Sequence, residues 1–318
     1  MIDPFSPLPS PQPALPRPRG ATSSRCAVGL TALLTAVLTL FTGSPVLAGL
    51  SGDLDPTFST NGWHVFDWNA STGPSYGRDL AVQADGKSVV VGSFNESGDK
   101  GGIARLTTTG TLDTTFSGDG LATLTSGGCE VELNAVAIQS SGRILVGGRC
   151  GDYFLIARYT TAGVLDTTFA PGTGGAASYI DPDWLGQVND IEISPSTGQI
   201  AWIGSASQSS TNGSFRILVT DANGNLDNSF GTGGIQTRTF PGYDEVEGLA
   251  GTWAKSGLWI VGAGKTISTL NPCGTATAGQ EVGLYVKFDL AGNAGPPRGS
   301  LLLPEACFKG SALSLIHI

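Results

Sequence analysis

Histidine is almost missing from this chain, with only His64 and His317 among 318 residues. A catalytic centre that gathers imidazoles from several strands is hard to build from that supply. Charge is also scarce, at 14% of residues, and the one methionine is Met1. So little Lys, Glu and Leu at helical spacing predicts a chain with almost no helix. Positive charge is the scarcer sign, 17 Lys and Arg against 26 Asp and Glu, for a formal net charge of −9. The first 48 residues hold Arg17, Arg19, Arg25 and Asp3, which leaves −11 on the remainder. An acidic surface of that size opposes nucleic acid and anionic membranes, because binding phosphate needs clustered Lys and Arg.

A spanning segment is lacking too. The apolar run Ala27 to Phe41 has 15 residues, short of the roughly 20 that cross a bilayer. It follows a Pro-rich lead with three Arg, and it precedes Thr42-Gly43-Ser44-Pro45 and then Val46-Leu47-Ala48 before Gly49. That order reads as a cleaved signal peptide over residues 1–48, with a retained anchor as the alternative. The lead is long for a signal, which leaves a later start codon open. No Cys follows the run directly, which argues against a lipoprotein. The expected location is extracytoplasmic: secreted, periplasmic or cell surface.

Export decides how the cysteines are read. Cys26 falls within the signal, leaving Cys129, Cys150, Cys273 and Cys307, an even number for an oxidising compartment. Ser140-Ser141-Gly142 lies between the apolar runs that adjoin Cys129 and Cys150, so a hairpin there brings the two thiols nearly opposite each other. A bridge would close a loop of about 20 residues, worth roughly 3 kcal/mol in the chain-entropy model. Cys273 and Cys307 then pair by elimination. A zinc site is the rival reading, and it lacks C-x-x-C spacing and supporting His.

What the chain has in abundance is Gly, 47 of them, and a motif written four times. The copies are Leu54-Asp55-Pro56-Thr57-Phe58, Leu112-Asp113-Thr114-Thr115-Phe116, Leu165-Asp166-Thr167-Thr168-Phe169 and Leu226-Asp227-Asn228-Ser229-Phe230. Their Phe residues stand 58, 53 and 61 positions apart, the mark of one supersecondary unit copied in tandem. Upstream of each later copy lie two more shared blocks. One is a hairpin pattern, such as Leu80-Ala81-Val82-Gln83, Asp85-Gly86 and Ser88-Val89-Val90-Val91-Gly92. The other is a strand such as Ile103-Ala104-Arg105-Leu106 or Ile156-Ala157-Arg158-Tyr159 before an x-x-x-Gly turn. With the run after the Phe, each unit has four strands.

Four short antiparallel strands in 50 to 60 residues predict an all-β fold, a β-propeller of about four blades over residues 49–312, with a β-solenoid as the alternative. In that fold the motif's Leu and Phe pack between blades and its Asp forms a turn. Together the three blocks, over about residues 52–262, resemble the delta-60 repeat proteins, bacterial secreted repeats regarded as β-propeller-like and without an assigned activity. The pattern fades from about residue 292, where the expected Leu-Asp falls on Ala294-Gly295 and the expected Phe on Arg298. An insertion of roughly ten residues between Gly262 and Gly292 carries Cys273. The last six residues, Leu313-Ser314-Leu315-Ile316-His317-Ile318, match the translation of a sequencing-adapter end. On that reading the native protein continues past residue 312 and His317 is not its own.

Each stretch that might carry chemistry has a plainer reading. Gly73-Pro74-Ser75-Tyr76-Gly77 has the G-x-S-x-G form of a nucleophile elbow, but Pro74 and a following strand deny it the helix it needs. Gly262-Ala263-Gly264-Lys265-Thr266 resembles the end of a phosphate loop, but Trp259 stands where that loop needs Gly. Asp113 with Asp119, and Asp53 with Asp55, offer calcium a weak opening, while capping of turns explains them more simply. Arg105, Arg158 and Lys287 share an aligned position, held by Val219 in the third copy, and read as surface ion pairs of at most about 1 kcal/mol. His64 reads as structural, Trp202, Trp253 and Trp259 read as core, and Trp184 reads as a loop residue able to stack on a sugar. The expected function is a non-enzymatic binding or scaffold module for a protein or glycan, without cofactor. The alternative is a propeller hydrolase or lyase with its site at the central channel.

Overall fold

The computed structural model describes residues 53–68, 73–96, 98–179, 185–207, 213–240, 243–266, 281–289 and 292. The expected signal peptide, Cys273, Cys307, Trp184, the stretch from Ala294 to Arg298 and the last six residues lie outside the described residues.

Every described element is a strand, and the strands fall into four antiparallel sheets in chain order. Sheet 1 comprises β1 (Ser75–Val82), β2 (Ser88–Asn95), β3 (Asp99–Leu106) and β4 (Leu121–Leu124). Sheet 2 comprises β5 (Val131–Ile138), β6 (Ile144–Cys150), β7 (Tyr153–Tyr159) and β8 (Ala176–Tyr179). Sheet 3 comprises β9 (Leu185–Ile193), β10 (Ile200–Ser207), β11 (Gly213–Thr220) and β12 (Ile235–Thr239). Sheet 4 has three strands among the described residues, β13 (Tyr243–Ala254), β14 (Gly257–Thr266) and β15 (Glu281–Phe288). Each strand pairs with the next in sequence, and such meanders packed face to face are the blades of a β-propeller.

Alternation along each strand supplies both faces of a sheet. On β2, Val89 and Val91 turn toward sheet 2, while Val90 packs with Trp68 and Phe94 on the opposite side. Three cores result, one between each pair of successive sheets. Ile103 meets Val131 and Leu133 in the first, Phe154 meets Val188 and Trp202 in the second, and Ile217 meets Leu258 and Val286 in the third. Cys129 and Cys150 are joined as a disulfide, with Cα atoms 5.4 Å apart across the β5–β6 hairpin.

The recurring motif bridges two of these cores at once. Leu165 packs against the core between sheets 1 and 2, while Phe169, four residues on, is buried between sheets 2 and 3. Leu226 and Phe230 repeat the pattern one sheet later. The loop is held in shape by its own Asp: in all four copies the residue two positions on donates its backbone N–H and its hydroxyl to the Asp Oδ1. The residue after Phe is then left-handed each time, with φ between 45° and 56° at Ser59, Ser117, Ala170 and Gly231. That turn sends its N–H to the next sheet, as in Ser117 N to Ala162 O at 2.8 Å and Ala170 N to Asn223 O at 2.8 Å. It also lays the ring on a turn glycine: a Cβ at Gly163, where φ is +81°, would come within 2.8 Å of Phe116. Leu54 is the exception, and lies exposed.

The expected surface ion pairs at Arg105 and Arg158 are corrected by the structure, since both are buried, at 5% and 2% exposure. Arg158 donates from Nε to Asp166 at 2.9 Å, from one terminal nitrogen to Ala222 O at 2.6 Å, and from the other to Thr168 Oγ1 at 3.3 Å. Its guanidinium lies 4.8 Å from the centre of the Phe169 ring. Arg105 repeats the set with Asp113, Thr161 O, Thr115 and Phe116. Burial alone would raise the Asp166 carboxyl, but hydrogen bonds from Thr168 and the charge of Arg158 outweigh it and hold the group below its ordinary value. Where Val219 replaces the arginine, Asp227 accepts from Gln199 Nε2 instead. Trp259 is a second correction, because it lies on the outer face of sheet 4 and is part-exposed.

Breaking a buried pair leaves a desolvated charge behind, so Arg158→Leu is expected to cost about 3–5 kcal/mol in urea unfolding. The other cation on Asp166, Arg143 at 3.1 Å, is 45% exposed at its side chain. Arg143→Ala should therefore cost under about 1 kcal/mol.

Candidate functional site

Each first strand carries an extra residue at the same place, the pairing of β1, β5, β9 and β13 shifting register around Arg78, Asn134, Asn189 and Leu249, and β13 has a second shift between Asp244 and Glu247. In sheets 1 to 3 the extra residue turns toward the first strand of the next sheet. Arg78 donates to Glu132 at 3.2 Å, Asn134 Nδ2 to Val188 O at 3.0 Å, and Asn189 Nδ2 to Gly248 O at 2.9 Å. Two neighbouring acids act alike. Asp79 accepts from Val136 N and Asp190 accepts from Gly251 N, both at 2.8 Å. Polar groups along the first strands thus stitch sheet to sheet.

Where the first strands begin and the second strands end, sheets 2, 3 and 4 leave an open cleft of about 330 Å3. Sheet 2 supplies Arg149 and Asp152, sheet 3 supplies Gln187, Ser205 and Ser207, and sheet 4 supplies Glu245 and Glu247. Close backbone contact shapes the walls. A Cβ at Gly213 would stand 2.1 Å from Val246 N, so only glycine lets sheet 4 come so near sheet 3. Gly186 N donates to Asp152 O at 2.7 Å, fixing the β6–β7 turn at the rim.

The charges in the cleft are oriented by neighbours. Arg149 hydrogen bonds Glu132, which holds the guanidinium more firmly protonated than a free arginine, and Glu132 also receives Arg78. Glu245 pairs with Lys265, whose Nζ lies 3.2 and 3.3 Å from its two oxygens. Its backbone is left-handed, with φ 48°, a conformation that costs a residue with a Cβ roughly 1–2 kcal/mol and gathers at functional sites. The lining therefore offers three carboxylates, one guanidinium, one amide and two hydroxyls to a polar ligand.

The residues singled out in the sequence lie elsewhere. The motif acids are bound into the inter-sheet loops: Asp113 lies 2.8 Å from Arg105 and 3.0 Å from Lys87, and Asp119 accepts from Leu121 N. No cluster of three or more His, Cys, Asp or Glu placed to hold a metal occurs among the described residues. Ser75 opens β1 and donates to Asp67 at 2.5 Å, and residues 262–266 are part of β14, so neither stretch is an elbow or a phosphate loop. His64 accepts or donates with Ser59 at 3.1 Å and stacks on Phe66. None of the cleft residues was marked by sequence. Arg149, Gln187 and Glu245 come from three different repeats and share no local pattern.

Residues 83–116 and 139–169 match the family described as a beta-propeller domain of unknown function, DUF5122. Each match runs from the end of a first strand to the motif Phe, so the chain carries two recognisable propeller-type repeats of that kind. No curated protein matches the sequence. Among solved structures, the chain resembles a candidate glycoside hydrolase from Parabacteroides distasonis at 12% identity, covering 70% of this chain and 72% of that one, with a TM-score of 0.38. The α-L-arabinanase of Cellvibrio cellulosa is 8% identical over 70% of this chain and 76% of its own, with a TM-score of 0.37. The GH43 endo-arabinanase from Bacillus licheniformis is 10% identical over 70% and 74%, with a TM-score of 0.34. Likenesses this distant say nothing about activity.

A further acid stands at the interface of sheets 3 and 4. Glu192 on β9 is part-buried, and its backbone oxygen accepts from Trp253 Nε1 at 3.1 Å. Burial first, and the charge of Asp190 second, push its carboxyl up from 4.5 to about 7. With the folded value above the unfolded one, the stability tied to this group is present below pH 4.5 and is lost as pH rises to about 7. Glu192→Gln keeps the neutral form at every pH. The variant should melt higher than the parent at pH 8 and match it at pH 4 in paired thermal scans.

Proposed function

We propose that this chain is an extracytoplasmic binding module that takes a glycan in the cleft between sheets 2, 3 and 4. The observation that carries the reading is the lining itself. Gln187, Ser205 and Ser207 both donate and accept, Asp152 and Glu247 accept, and Arg149 donates. Neighbouring sugar hydroxyls do the same, and a site of mixed polarity fixes their orientation. The use of Asp79 and Asp190 as backbone caps, and of Asn134 and Asn189 as inter-sheet ties, also supports a binding role. Those first-strand positions are where a channel enzyme would place its acids. The disulfide fits an oxidising compartment, and among the described residues no helix is long and apolar enough to cross a membrane.

Three carboxylates in one cleft, Asp152, Glu245 and Glu247, favour the second reading of a glycoside hydrolase. A glycan array probed with the exported chain separates the two. The binding reading expects retained, uncleaved glycan. It also expects Gln187→Ala and Asp152→Asn to weaken binding at least tenfold, about 1.4 kcal/mol, with unchanged melting temperature. Release of reducing sugar from the bound glycan, abolished by Glu247→Gln, would establish the hydrolase instead. An array without a single binder would overturn both.

A further inference from the structure

Two positions before Arg78, Asn134, Asn189 and Leu249, the first and second strands of every sheet place a matched pair of side chains. Tyr76 faces Ser93 in sheet 1, Glu132 faces Arg149 in sheet 2, Gln187 faces Ser205 in sheet 3 and Glu247 faces Ala263 in sheet 4. Arg149, Gln187, Ser205 and Glu247 of this row line the cleft. Of these pairs, the one in sheet 2 sets a carboxylate against a cation.

Arg149 therefore enters the cleft already engaged. One terminal nitrogen donates to Glu132, and the other lies 3.4 Å from Gly151 O. Glu132 is held in turn from sheet 1, because Arg78 donates to its second oxygen at 3.2 Å. The Cys129–Cys150 bridge closes the hairpin one residue beyond Arg149, so fraying of the strand ends does not part the pair. The hydrogen bond to Glu132, with the charges of Glu132, Asp152 and Asp99, keeps the guanidinium firmly protonated. On the opposite wall Glu247 stands across from Ala263, and Glu245 draws Lys265. The cleft is thus rich in acceptors, since its carboxylates do not donate, while the donors of its arginine are turned toward Glu132 and Gly151.

We infer that the glycan taken in this cleft carries free amines, as an oligomer of hexosamine does, and that Glu132 is the positioning residue that sets this preference through Arg149. The inference rests on the glycan reading of the cleft. An ammonium brings three donors and no acceptor, the complement of Asp152, Glu245 and Glu247. Its charge-assisted hydrogen bonds to carboxylates are roughly twice as strong as those of a neutral hydroxyl. A sugar with a carboxylate meets the reverse. It faces like charge on the lining, and to reach Arg149 it must displace Glu132, whose side chain is 14% exposed.

Calorimetric titration of the exported chain with chitosan oligosaccharide, its N-acetylated counterpart and oligogalacturonate tests this. Chitosan oligosaccharide should bind at least about tenfold tighter than the N-acetylated form, the size of one hydrogen bond to a charged group. That preference should shrink as salt rises, because the open cleft leaves its charges screened. Glu132→Gln keeps the hydrogen-bonding shape and removes the charge. It should reduce the preference for amine and bring measurable binding of oligogalacturonate, with the fold unchanged by circular dichroism. Adding Arg149→Gln should abolish that gain. A Glu132→Gln variant that binds every probe less well, in equal proportion, overturns the proposal, since that is the result of a merely structural role. Equal affinity for the amine and N-acetyl forms, or tighter binding of oligogalacturonate by the parent chain, also overturns it and leaves the cleft a glycan site. Binding of none of the probes overturns it as well, and the glycan array then decides whether the cleft reading falls with it.

Discussion

The rest of the structure depends on one constraint: a single loop must fill two neighbouring cores with residues four positions apart. Leu165 goes to one side of sheet 2 and Phe169 to the other, and the chain between them has no room to relax. Asp166 makes that reversal possible by accepting both the backbone N–H and the hydroxyl of Thr168. The left-handed residue after the Phe then aims the ring at the following sheet. Each sheet is therefore registered against the next through its own loop, and the three cores form a chain of nearest-neighbour interfaces.

The buried arginines act on the same joint. A guanidinium with hydrogen bonds to Asp166, Thr168 and the Ala222 carbonyl, and with the Phe169 ring beneath it, ties loop, strand and next sheet together. Desolvating such a charge is costly, and the several partners offset that cost. The third copy shows that the joint tolerates a substitute. Val219 removes the charge, Gln199 takes over Asp227, and Phe230 remains buried between sheets 3 and 4.

Much of this was legible in the sequence. The spacing of the motif gave the period, the Asp85-Gly86 and Ser141-Gly142 turns gave the hairpins, and the position of Cys129 and Cys150 about such a turn gave the disulfide. What stayed hidden has physical reasons. A cation near a turn reads as exposed unless its partner eight residues on is known to be buried with it, which is why Arg105 and Arg158 were misplaced. Alternation assigns Trp259 to a face but does not say whether another sheet covers that face. The extra residue on each first strand is present in every copy, so aligning the copies conceals it. The cleft arises where Arg149, Gln187 and Glu245 converge from separate repeats, and no local pattern announces a convergence of that kind.

The function proposed for the chain follows from the same economy of parts. Its motif acids and first-strand polar groups hold sheets together, and the glycan proposed above would meet the polar groups at the ends of the strands, in the cleft. The central claim is that the motif Phe couples two sheets. Hydrogen exchange on Phe169→Leu tests this most directly, since the change thins the plug while leaving the loop able to form. Faster exchange in both sheets that the ring joins, β6 and β7 together with β10 and β11, is the predicted result. Faster exchange confined to residues 165–175, with both sheets protected as before, would contradict it.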